Sequence, residues 1–129
     1  MTCLVRVSIP NCPKIILEMN SKNSPETMQR FIEQLPFSAI LNVWGEEIYT
    51  DESPIEISEE NAKSVVSLND VAYWPPGKAI CLFFGRTPIS EKEEILPASP
   101  VNIIGRILNP DTSLVKVADG KKALFQRES

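Results

Sequence analysis

The sequence predicts a mainly β protein, a sandwich or barrel of short antiparallel strands with a single clear helix. Three observations predict it. Short apolar or alternating runs, about nine of them, recur between Pro, Gly, Asn and Asp turn signals along the whole chain. Only one stretch carries an apolar face at helical spacing. The longest unbroken apolar run, Ala79 to Phe84, has turn residues at either end, as a strand buried on both faces does.

In chain order, Cys3, Val5, Val7 and Ile9 alternate with Leu4, Arg6 and Ser8, and Pro10-Asn11-Cys12-Pro13 turns the chain into a second strand, Lys14 to Met19. The prolines confine that hairpin's ladder to the segments outside them. Ser24-Pro25-Glu26 reads as a helix start: a serine N-cap, proline at the first helical position and a carboxylate near the positive end of the dipole. Met28, Phe31, Ile32 and Leu35 supply one apolar face, and Pro36 stops the helix, which is expected to cap an open end of the barrel.

Phe37 to Trp44 and Glu47 to Thr50 form the next hairpin, joined by Gly45-Glu46, a two-residue loop with glycine first. Ile55 and Ile57 around Glu56 read as a short strand. Residues 58–68 are undecided between a helical turn at Ser58-Glu59-Glu60 and extended structure at Val65-Val66. Val71 to Trp74 and Ala79 to Phe84 are the central hairpin, with Pro76-Gly77 in the second and third positions of a type II turn. Ser90 to Ser99, with Glu91, Glu93 and Glu94 around Lys92, reads as a solvated loop, an acidic binding site being the other reading. Val101 to Leu108 is a strand with Gly105 as a bulge or close-approach point. Leu114, Val115 and Val117 form another, and Asp119-Gly120 signals a hairpin returning through Ala123 to Phe125.

Composition removes several function classes. At 129 residues the chain is expected to be one domain, 1–129, long enough for a hydrophobic core. A net charge of −4 without a basic cluster argues against nucleic acid and anionic membrane as partners. No apolar run approaches the roughly 20 residues that cross a bilayer. The start, MTCLVRVSIP, has no basic segment followed by an apolar one, so a cytoplasmic location is expected. The chain has no histidine, which removes the usual general base and the Ser-His and Cys-His nucleophile pairs. Cys3, Cys12 and Cys81 lack CxxC spacing, so neither a disulfide framework nor a metal site is expected. Cys3 and Cys12 could face each other across the first hairpin as thiols. Cys81, in the apolar run, reads as an inert core thiol. No cofactor is expected.

Candidate binding residues gather around the central hairpin. Tyr73, Trp74, Phe83 and Phe84, with Trp44 and Tyr49 upstream, either fill the core or line a groove, and core packing is the favoured reading. Arg86 follows the buried strand and opens a loop, a common place for a binding residue; the alternatives are an exposed loop arginine or a partner for Glu46 or Glu47. Those two adjacent carboxylates point to opposite faces of a strand, so they do not serve one site, and at a hairpin turn both are expected to be solvated. Asn102 within a strand is unusual, and if it points inward it needs partners, structural or ligand.

The segments AYWPPGKAICLFFGRTP, LNVWGEEIY (Leu41 to Tyr49) and SPVNIIGRI (Ser99 to Ile107) resemble a small prokaryotic family, the atypical, reduced cyclophilin-like proteins of unassigned activity. The resemblance implies a closed antiparallel cyclophilin-like β-barrel. Cyclophilins that isomerise X-Pro bonds resemble one another around an arginine in an F-H-R-V-I-like strand and a following Q-G-G-D-like segment, and neither is present here. Arg86 and Arg106 lie nearest the shared segments but in a different context, so the catalytic role carries to neither.

Three functional readings follow. The favoured one is a binding module whose barrel mouth, near Trp44, Tyr73, Trp74, Phe84 and Arg86, with Asn102 as a further binding residue, accepts a small molecule or a short, proline-containing peptide. The second is a weak prolyl isomerase, since rotating a prolyl bond needs neither a proton shuttle nor a metal. The third is an interaction protein, with a homodimer as its simplest form.

Overall fold

Eight strands close into one antiparallel barrel in a computed structural model that describes residues 1–128. They are β1 (Thr2–Ser8), β2 (Ile15–Asn20), β3 (Phe37–Trp44), β4 (Glu47–Thr50), β5 (Asp70–Trp74), β6 (Ala79–Phe83), β7 (Asn102–Ile107) and β8 (Lys122–Arg127). Around the barrel the order is β1-β2-β7-β5-β6-β4-β3-β8, and β8 closes it by pairing with both β1 and β3. The one α-helix, α1 (Pro25–Gln34), packs Met28 and Phe31 into the barrel core. Phe31 meets Phe37 and Phe125 edge-on, with ring centroids 5.8 and 6.4 Å away.

Alternation along the strands fills the interior. Val5, Val7, Leu17, Leu41, Ile48, Val71, Tyr73, Ile80, Leu82 and Phe84 belong to one buried cluster inside the barrel. The interior is therefore packed side chains rather than an open mouth, the usual outcome for a small eight-stranded barrel. Tyr73 and Phe84, expected at a barrel mouth, belong to this buried cluster.

β6 is buried along its whole length, as its unbroken apolar run predicts. Its second face, Ala79, Cys81 and Phe83, lies outside the barrel wall beneath a smaller cluster with Ala72, Val66, Ile95 and Val101. Two irregular segments supply that cover. They are fastened by single bridges, Lys63 with Val101 and Val66 with Ile95. The 58–68 stretch is thus neither helix nor strand, and the 90–99 loop turns its acidic residues to solvent while burying Ile95.

Local chemistry accounts for the departures from the sequence reading. Ser24 bounds α1 but its side chain does not cap it. The Glu60 carboxylate does, accepting from the amides of Glu26 (3.0 Å) and Thr27 (2.9 Å), while the Ser24 hydroxyl donates to the Glu60 carbonyl. The central hairpin turns through a 3-10 turn, Pro75–Gly77, and the left-handed residue is Lys78 (φ 50°), not Gly77. Gly77 is required for another reason: a Cβ there would lie 2.6 Å from the Trp74 ring. At Gly105 both expectations meet. The β5–β7 register slips beside it, with Val71 opposite Gly105 and Ala72 opposite Ile103, and a Cβ would lie 2.6 Å from the Glu18 carbonyl oxygen.

Two expected strands do not form. Ile55 and Ile57 lie in irregular chain, where the Ile55 carbonyl accepts from the Tyr73 hydroxyl (2.8 Å) instead of from a ladder partner. Thr112–Lys116 is a 3-10 helix because the Asp111 carboxylate accepts from the Ser113 amide (3.0 Å) and caps it, setting Leu114 and Ala118 into the core. Asp119-Gly120 accordingly leads into β8 from a helical turn rather than from a strand. Cys3 stands opposite Met19, and Cys12 lies in the turn beside Lys121 (Sγ to Nζ 3.7 Å), so the two thiols do not face each other.

Candidate functional site

Strand register alone brings one set of side chains together on the outer face of the wall. Trp44 stands directly opposite Glu47 across the β3–β4 hairpin, and residues opposite one another share a face. Tyr49, two positions beyond Glu47, is on that face too. Across the β4–β6 ladder Tyr49 faces Cys81. Across β5–β6, Trp74 faces Ala79, two positions before Cys81. These side chains, with Pro97, Ala98 and Val101 of the covering segment, line a pocket of about 170 Å³.

The walls are held by bonds internal to the protein. The Trp74 indole N–H donates to Ser99 Oγ at 2.6 Å, fixing the ring against the covering segment. That segment is anchored by Ser90 Oγ, which accepts from the amides of Thr87 and Leu96, each at 3.0 Å. A bridge between Lys63 and Val101 secures its far end.

Glu47 is the charged group of the pocket and is only 5% exposed. Burial pushes its carboxyl up to about 7, with the Cys81 thiol as hydrogen-bond partner drawing it partly back. Burial likewise pushes the Cys81 thiol well up, and the neighbouring Glu47 charge adds to this. Among the described residues no lysine or arginine forms an ion pair with Glu47, and no cysteine, aspartate and glutamate residues are grouped to hold a metal ion. The arrangement can do two things chemically. It can accept a hydrogen bond or a positive charge at the carboxyl, and it can enclose an apolar or cationic body between rings.

The fold agrees with two comparisons. The Cyclophilin-like family model matches residues 4–126. The chain belongs to the cyclophilin-like family. A hypothetical protein from Archaeoglobus fulgidus, known from its solution structure, is similar to it at 44% identity and a TM-score of 0.82, over 98% of this chain and 95% of that one. No curated protein matches.

Within this cyclophilin-like barrel the residues singled out in the sequence separate into four groups. Trp44 and Trp74 line the pocket. Tyr73 and Phe84 point the other way, into the filled interior, each 2% exposed or less. Arg86 sits exposed on the turn after β6, its guanidinium donating to the Ser90 carbonyl at 3.1 Å, and it does not line the pocket. Asn102 is fully buried, and its amide is satisfied within the protein. Its oxygen accepts from the Glu60 amide (2.8 Å), and its nitrogen donates to Thr27 Oγ1 (3.0 Å) and the Ser58 carbonyl (3.1 Å). It ties α1 to the irregular segment that caps it.

Glu47 was missed, being expected in solvent, and the pocket's cover from Pro97 to Val101 was missed with it. The signal was present. Opposite faces for Glu46 and Glu47 put one of them on the wall, and β6, apolar on both faces, requires its outer face to be covered. Glu46 is the exposed one, its carboxylate lying over Gly85.

Proposed function

We propose that this cyclophilin-like protein is a binding module that holds a small organic molecule, or one side chain of a short peptide, in the pocket outside the β4–β6–β5 wall. The observation that carries the reading is a cavity lined by aromatic rings and the buried Glu47 carboxyl, which among the described residues forms no ion pair with a lysine or arginine. Concave sites that are mostly apolar, with a few convergent polar groups, are the usual form of ligand pockets. At about 170 Å³ this one is smaller than the roughly 300 Å³ at which drug-sized pockets begin, so it suits a fragment-sized group.

The test is a fragment and dipeptide screen by NMR, X-Pro dipeptides included, on wild type and Ala98→Phe, which fills the cavity from its covering segment. Bound fragments are expected to shift the Trp44 and Trp74 indole signals in wild type and to lose that effect in the variant. Fragments that perturb both proteins equally, or only surfaces elsewhere, overturn the reading. The pocket's size also suits a prolyl ring, which favours weak isomerase activity as a second reading. Exchange of an X-Pro peptide accelerated by wild type and not by Ala98→Phe would move the function there.

A further inference from the structure

We infer that the group this pocket takes is an organic cation, a protonated or quaternary alkylammonium, set against the Glu47 carboxylate and enclosed by Trp44, Tyr49 and Trp74. The inference rests on the binding reading above and names the ligand class.

The carboxyl supplies the first half of the argument. A buried carboxylate is ordinarily paired or fully hydrogen-bonded, because taking a lone charge out of water is costly. Asn102 shows that this protein can satisfy a buried polar side chain completely. The chain holds 13 lysines and arginines, and among the described residues four of these form ion pairs with carboxylates elsewhere, none with Glu47. What Glu47 lacks is a cation, and its carboxyl borders the cavity where one would sit.

The rings supply the second half. A neutral apolar ligand needs only apolar walls, and leucine or valine would serve. Here two indoles and a phenol line the cavity together with the carboxyl, and aromatic rings carry the negative quadrupole that attracts ammonium groups. Trp44 is held beside Glu47 by strand register, and Trp74 by its bond to Ser99. A cation held at Glu47 therefore shares the cavity with a negative charge and with aromatic rings.

Proton linkage follows. Burial holds the Glu47 carboxyl up at about 7, so a cation that favours the carboxylate displaces a proton near neutral pH. The other titratable groups lining the pocket are the Cys81 thiol on β6, itself pushed up by burial, and the Tyr49 phenol on β4; Pro97, Ala98 and Val101 bring none. Glu46 lies over Gly85, outside the lining.

The experiment uses choline and its neutral isostere 3,3-dimethyl-1-butanol, titrated by NMR on the tryptophan indole signals of wild type, Glu47→Gln and Trp44→Leu. Choline is expected to bind wild type about tenfold or more tighter than the alcohol. Glu47→Gln should remove most of that preference, and Trp44→Leu should weaken choline more than the alcohol. Because the carboxylate is the binding form, choline affinity should fall about tenfold from pH 8 to pH 6 while that of the alcohol stays level. Equal affinities for the two probes in wild type overturn the cation inference and leave the pocket reading standing. If neither probe shifts either indole at about 50 mM while other fragments from the screen do, the inference also fails. If nothing shifts them, both fail.

Discussion

The two sides of β6 are equally buried and chemically unlike. The inner side, Ile80 and Leu82, with Phe84 just beyond the strand, belongs to the buried cluster that fills the barrel. The outer side, Ala79, Cys81 and Phe83, is covered by irregular chain attached at a few bridges, and the cover leaves a cavity with a carboxyl in its wall. The difference teaches that burial alone does not separate structure from site. Asn102 and Glu47 are both buried polar residues, yet the Asn102 amide is enclosed among bonds to α1 and the chain that caps it, whereas the Glu47 carboxyl meets the Cys81 thiol and borders the cavity. Space beside the buried group is what separates the two.

The contrast breaks most visibly through packing. Leu82→Ala, on the sealed side, is expected to cost about 3 kcal/mol or more in chemical denaturation. Cys81→Ala, one position away on the side with the cavity, removes a single sulfur beside existing space and is expected to cost about 1 kcal/mol or less. Similar losses for the two would mean that both sides are packed alike.

Glu47 sharpens the contrast through pH. Its folded pKa lies above its unfolded value of 4.5, so the folded state binds the proton more tightly. The stability linked to that proton is fully present below about pH 4.5 and is lost as pH rises through about 7. The loss is about 3 kcal/mol if burial acts on this carboxyl alone. Denaturation midpoints across that range should therefore fall for wild type relative to Glu47→Gln, and parallel curves would place Glu47 in water.

The satisfied residue gives a smaller effect than Leu82 or Glu47. Asn102→Ala strands the Glu60 amide and the Ser58 carbonyl, while the Thr27 hydroxyl keeps its bond to the Glu60 carboxylate, at an expected cost of about 2 kcal/mol. Fragment binding in the outer pocket should stay unchanged, and a selective loss of binding at intact stability would return Asn102 to the site.

Much of the barrel is legible in the sequence because period-two alternation and turn residues are local signals. The β3–β4 and β5–β6 hairpins and the double burial of β6 come from such signals. What is not legible depends on partners far along the chain. Leu114 to Val117 has the composition of a strand, but a bond from Asp111 to the next turn decides otherwise. Of the binding candidates, Trp44 and Trp74 line the pocket, and aromaticity alone cannot distinguish them from Tyr73 and Phe84 until strand parity assigns each to a face. Glu47 reads as solvent-exposed because nothing adjacent to it announces the covering segment some 50 residues later. Arg86 looks exposed in the sequence and is exposed.

The cap on α1 has a consequence for how the chain assembles. The carboxylate that satisfies the first amides of the helix arrives from Glu60, 34 positions beyond Glu26. A ten-residue helix is too short to persist alone in water, and this one lacks its terminal bonds until a distant stretch has come home. Residues 24–35 thus act as a late reporter. Their amide protection depends on the arrival of chain from across the molecule, so the helix and the segment that caps it gain and lose order together.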